Sequence, residues 1–91
     1  MTKSFDSVWD ALEDSPEDVE KMKLRSVFMM ALSDYVKNSG ETQSVVAERL
    51  GISQPRLSDL LKGKISKFSL DMLVTLTIKA GLSIKLDVRA A

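Results

Sequence analysis

Residues Thr42 to Lys64 read TQSVVAERLGISQPRLSDLLKGK, and this stretch decides the fold. Thr42 and Ser53 each stand where a side-chain oxygen can cap the first turn of a helix. Gly51 and Gly63 each stand where a helix can end in the left-handed conformation. The spacing therefore predicts two short helices, Gln43 to Leu50 and Gln54 to about Lys62, joined by a tight glycine turn. Val46, Leu50, Ile52, Leu57 and Leu60 fall at inward-facing positions, and Ala47 is small where the two helices approach. Two caps, a turn glycine and five apolar positions in register define a helix-turn-helix. An ordinary helical hairpin is the bland alternative.

Working outward, Ser15-Pro16-Glu17-Asp18 marks the start of a longer helix reaching about Asn38. Serine can cap it, proline suits its first position, and the acids favour the positive end of its dipole. Leu24, Phe28, Ala31, Leu32, Tyr35 and Val36 are read as its buried face, with Met22, Met29 and Met30 as core filler. Ser69 caps a further helix, Leu70 to Ala80, which Gly81 stops. Upstream, Phe5, Val8, Trp9 and Leu12 share one face of a short amphipathic helix near residues 4–13. Its tryptophan packs either on the domain or on a partner.

The tail Leu82-Ser83-Ile84-Lys85-Leu86-Asp87-Val88 alternates apolar and polar, the period of a half-buried strand. No other segment alternates in this way. The expectation is that Leu82, Ile84, Leu86 and Val88 pair with the same strand of a second copy, giving a homodimer. A lone tail packed on the helices is the alternative. The chain thus divides into an acidic segment, 1–14, and a helix-turn-helix domain, 15–91, with the dimerisation strand at 82–88. The expected fold class is an all-α bundle of four to five helices plus that strand.

Composition narrows the chemistry. The 91 residues include no His and no Cys, which removes disulfides, thiolate nucleophiles, His bases and the usual zinc sites. Gly51-Ile52-Ser53-Gln54-Pro55 lacks the second glycine of a nucleophile elbow, and the N-terminal acids do not follow calcium-loop spacing. No enzyme, no cofactor and no metal is expected. The longest apolar run, Val27 to Leu32, is far below the ~20 residues of a membrane span. Lys3 followed by acids is not a signal-peptide pattern, so a cytoplasmic location is expected. A domain of this size buries roughly 60–65% of its unfolded surface and gains from dimerising.

The 13 basic and 13 acidic residues cancel, yet they are segregated. Residues 1–20 carry seven acids against one base, and residues 21–91 carry 12 bases against six acids. Such asymmetry suits a polyanion or a basic partner, or is simply two solvated faces. Between Thr42 and Lys67 five bases face two acids, so the motif is locally basic.

The second helix of such a motif enters the DNA major groove by its N-terminal residues. The candidate base-contact residues are Ser53, Gln54, Pro55, Arg56 and Asp59. Glutamine can bond adenine N6 and N7 bidentately. Arg56 suits either guanine or a phosphate. Pro55 offers surface to a thymine methyl, or only starts the helix. Asp59 either accepts from cytosine N4 or repels the backbone. Thr42, Gln43, Lys62, Lys64 and Lys67 are the candidate phosphate contacts, Gln43 through the helix N-terminus it opens.

This stretch resembles the helix-turn-helix of the Cro/C1-type (XRE) regulators, whose fold is the lambda-repressor-like bundle. The following KFSLDMLVTLTIKAGLSIKLDV is similar to a HigA-like antitoxin branch of that family. The resemblance spans about residues 20–88. It implies a homodimeric repressor on a palindromic operator in double-stranded DNA, with Gln43 on phosphate and Gln54, Pro55 and Arg56 facing the groove. It further implies a small basic toxin as partner, which Phe5, Val8, Trp9 and Leu12 could engage. Pro55 departs from a position where many relatives are polar. A solitary or prophage regulator without a toxin, or a motif used only between proteins, are the competing readings.

Overall fold

The computed structural model describes residues 15–90. Among them are four α-helices: α1 (Pro16–Ser39), α2 (Gln43–Leu50), α3 (Gln54–Leu61) and α4 (Leu70–Lys79). A single 3-10 turn, Ile65–Lys67, connects α3 to α4. The amphipathic segment carrying Phe5, Val8, Trp9 and Leu12 lies outside the described residues.

Each α-helix begins on the serine or threonine expected from the sequence. The side chains of Ser15, Thr42, Ser53 and Ser69 accept hydrogen bonds from the amides of Asp18, Val45, Arg56 and Met72. Each bond satisfies one of the donors that a first turn leaves free. Ser69 is exposed and sits away from the α2–α3 turn, so it isolates the capping effect. Ser69→Ala should lower stability by ~1 kcal/mol in a urea titration, while α2 and α3 keep their helicity. No change in the midpoint would show that this cap contributes nothing.

The helices end as locally as they start. At Gly51 (φ 73°) the amide of Gly51 donates to Glu48 O at 3.1 Å and that of Ile52 to Ala47 O at 3.0 Å. This is a Schellman closure, and its left-handed residue is why a side chain is excluded there. Gly63 (φ 75°) closes α3 the same way, with the Lys64 amide donating to Asp59 O at 3.1 Å. That second closure carries Lys64 back toward the helix it has just left.

The core is built where all four helices meet. Val46, Ala47 and Leu50 of α2 and Leu57 and Leu60 of α3 are buried, with Ile52 half-buried in the turn. They pack with Met29, Leu32 and Val36 of α1, with Leu73 and Leu76 of α4, and with Phe68. Phe68 was not expected in the core. The sequence offers no periodicity there, because the residue sits just after the 3-10 turn. A hydrogen-bonded and ionic staple joins α1 to α2. Arg49 donates through Nη1 to Tyr35 OH at 2.7 Å, and through Nη2 it pairs with Glu41.

Three expectations need correction. Leu24 and Ala31 are exposed rather than buried. The inner face of α1 is the stripe Met29, Leu32 and Val36, with Phe28 and Tyr35 on its flank. At 100° per residue, Leu24, Val27 and Ala31 form a second stripe on nearly the opposite side. Met30 is likewise outside the core, 68% exposed. Finally, no strand occurs among the described residues, and residues 82–90 adopt no regular element. A single strand has no neighbour to close its ladder of N–H and C=O groups, so alternation alone cannot make one in a single chain. Leu82 and Ile84 are half-buried, and with Leu24, Val27 and Phe28 they line an open groove of about 530 Å³. Leu86 and Val88 project into solvent.

Candidate nucleic-acid interface

The interface is set by the sidedness of α3. Leu57 and Leu60 are buried at 0% and 1% exposure, which turns the opposite side and the N-terminal tip outward. Ser53, Gln54 and Pro55 are all exposed at that tip. Ser53 caps the helix with its hydroxyl, accepting from the Arg56 amide at 3.2 Å. Pro55 lies in the first turn, where its missing N–H costs no helical hydrogen bond. Thr42 and Gln43 are exposed at the N-terminus of α2, which presents the unpaired amides and the positive dipole end of that helix.

Arg56 and Asp59 are placed differently from the other three residues named for base contact. The Arg56 guanidinium lies over the Phe68 ring, 4.8 Å from its centroid. Its Nη2 donates to Lys67 O at 2.9 Å and contacts Met72 Sδ at 3.1 Å. A flat, weakly hydrated cation suits both the ring face and the carbonyl. In this arrangement Arg56 secures the 3-10 turn to α3. Asp59 is half-buried and forms ion pairs with Lys64 Nζ at 3.3 Å and Lys67 Nζ at 3.4 Å. Partial desolvation pushes its carboxyl upward, but hydrogen bonds and charge from the two lysines outweigh this and hold it below the ordinary carboxylate range. Glu41 is also held low, chiefly by its hydrogen bond from Arg49.

Among the five candidate phosphate ligands, Lys62, Lys64 and Lys67 are exposed around the C-terminal end of α3. Lys64 and Lys67 are the two paired with Asp59, and no ion pair involves Lys62 among the described residues. One cation the sequence did not single out stands near the motif. A side chain at Gly51 would come within 2.9 Å of Lys79 Nζ, so the α4 ammonium sits beside the turn and the negative end of the α2 dipole. No pattern links Lys79 to position 51 in sequence; only the packing of α4 brings them together. Among the described residues no group of His, Cys, Asp and Glu could hold a metal ion, and no helix is long and apolar enough to cross a membrane.

A short capped helix, a glycine turn and a second helix with a buried apolar stripe and a polar tip define a helix-turn-helix module. The chain belongs to a helix-turn-helix domain family, which it matches over residues 11–89. Its fold is similar to a solved structure assigned to the XRE family of transcriptional regulators. The TM-score is 0.74 at 28% identity, covering 81% of this chain and 83% of the other. No curated protein matches the sequence. Fold and family together are those of a DNA-binding transcriptional regulator.

Proposed function

We propose that this protein is a cytoplasmic, homodimeric repressor that reads a palindromic operator with the tip of α3. The observation that carries this reading is the exposure of Ser53, Gln54 and Pro55 directly above the buried Leu57 and Leu60. A polar tip on a rigidly packed helix is what a major groove accepts. Gln54 reads adenine, Pro55 meets a thymine methyl, and Thr42 and Gln43 hold a phosphate at the α2 N-terminus. Lys62 adds a further backbone contact.

The dimer reading is supported by apolar surface that the single chain leaves uncovered. Leu24, Val27, Leu86 and Val88 are 42%, 63%, 75% and 91% exposed. Leu24, Val27 and Leu86 line one groove with Leu82 and Ile84, a candidate interface across α1 and the tail. The alternation of residues 82–88 acquires a ladder once a second copy supplies the partner edge. The antitoxin role is supported by the acidic, amphipathic character of residues 1–14 in sequence, suited to a small basic toxin. A neighbouring short gene encoding a basic protein would favour it over a solitary regulator.

The test is selection of duplexes from a random pool, followed by titration across salt concentrations. Expected are an inverted repeat with half-sites about one helical turn apart and binding that falls steeply with salt. A pool that yields no enriched duplex, with the protein folded, rules the reading out and leaves the protein-interaction alternative.

A further inference from the structure

We infer that Asp59 is a specificity-determining residue that works by occupying Lys64 and Lys67, so that duplex of the wrong sequence does not receive their charge. This rests on the DNA-binding reading above. The carboxylate touches both ammonium groups, Oδ1 with Lys64 and Oδ2 with Lys67. Its side chain is only 22% exposed, against 46% and 52% for the two lysines, so the anion sits beneath the cations. The arrangement is held at both ends. The Lys64 amide donates to Asp59 O in the Gly63 closure, and the Arg56 guanidinium grips the carbonyl of Lys67. These contacts hold the backbone of both lysines within side-chain reach of Asp59. The depressed carboxyl of Asp59 agrees with an anion that is stabilised where it stands.

The consequence concerns sequence discrimination. Non-specific binding is almost entirely the exchange of condensed counterions for protein cations. A cation already neutralised by a fixed carboxylate contributes little to that exchange. On a matching operator, the seated Ser53–Pro55 tip fixes the orientation of α3, and the α2 N-terminus and Lys62 hold the backbone. Binding there does not draw on Lys64 and Lys67, which stay on Asp59. Arbitrary duplex offers the tip no such seat, so its binding depends on whatever cations are free. The internal anion thus lowers affinity for arbitrary duplex more than affinity for the operator.

The experiment compares the full chain with Asp59→Asn on a random-sequence duplex and on the selected operator, by fluorescence anisotropy across salt concentrations. Asp59→Ser is carried in parallel in case one variant fails to fold. Freeing both lysines should tighten random-duplex binding by about tenfold at low salt. It should also steepen the plot of log K against log salt by up to about two, at ~0.9 per phosphate engaged. The operator-to-random affinity ratio should fall. Adding Lys64→Gln and Lys67→Gln to Asp59→Asn should abolish the gain. Random-duplex binding that does not tighten, an operator-to-random ratio that does not fall, or a gain that survives loss of both lysines overturns the inference. If the unmodified protein binds duplex with a salt-dependent affinity, such a failure leaves the DNA-binding reading intact. If the unmodified protein binds no duplex at all, both fall.

Discussion

Leu57→Ala should lower the unfolding free energy by about 2–5 kcal/mol, the usual range for a fully buried leucine truncated to alanine. Leu57 is 0% exposed, at the centre of the cluster where α3 meets Val46 and Leu50 of α2. The loss has two parts, the missing transfer free energy and the cavity that a well-packed neighbourhood cannot refill. A domain of this size has roughly 5–15 kcal/mol in total, so the variant should sit near the edge of folding. At ~4–8 °C per kcal/mol, the thermal midpoint followed by far-UV circular dichroism should drop by on the order of 10 °C or more. A drop within the error of the measurement would mean that α3 is not anchored through this residue. The tip geometry would then have no rigid base.

Gln54→Ala should do the reverse. Gln54 is exposed, so its loss should leave the unfolding free energy within ~0.5 kcal/mol of the parent. Operator affinity should fall by ~1–3 kcal/mol, and the loss should appear as relaxed preference at one base pair of each half-site. The measurement is a titration against the operator and a set of single-base variants. A phosphate contact would weaken all duplexes alike and make the salt dependence shallower, so the two roles separate cleanly. If Gln54→Ala bound every duplex as the parent does, the tip would not be in the groove. The pair of variants divides support from readout: one residue under the helix, three positions away from the other on its surface.

The parts of the fold that were legible in advance are those with local causes. A serine or threonine followed three residues later by a free amide, and a glycine that alone accepts a left-handed turn, lie within one helical turn of what they control. That is why Ser15, Thr42, Ser53 and Ser69 mark the helix starts, and why Gly51 and Gly63 mark two of the ends. The apolar register of α2 and α3 was legible for the same reason, since each helix shows one stripe only. Helix α1 was harder. It carries apolar residues on two nearly opposite sides, and periodicity alone cannot say which side faces in.

Arg56 and Asp59 mark the other limit. Both are polar residues near the start and middle of the second helix of the motif, and type and position make them candidates for base contact. What engages them comes from outside α3: Phe68, Met72, the carbonyl of Lys67, and the ammonium groups of Lys64 and Lys67. These reach the helix because the Gly63 closure and the 3-10 turn fold the chain back across it. Nothing in the spacing announces that return.

By itself, then, the order of residues determined the number of described helices, their boundaries to within a residue or two, and the polar tip at Ser53–Pro55. Those features depend on interactions closed within a few positions along the backbone. Only the tertiary structure decided which side of α1 faces the core, that residues 82–90 stand without a ladder in one chain, and that Arg56 and Asp59 turn toward the 64–72 segment. Each of these is a competition among distant groups for one surface, and its outcome is settled when the helices pack.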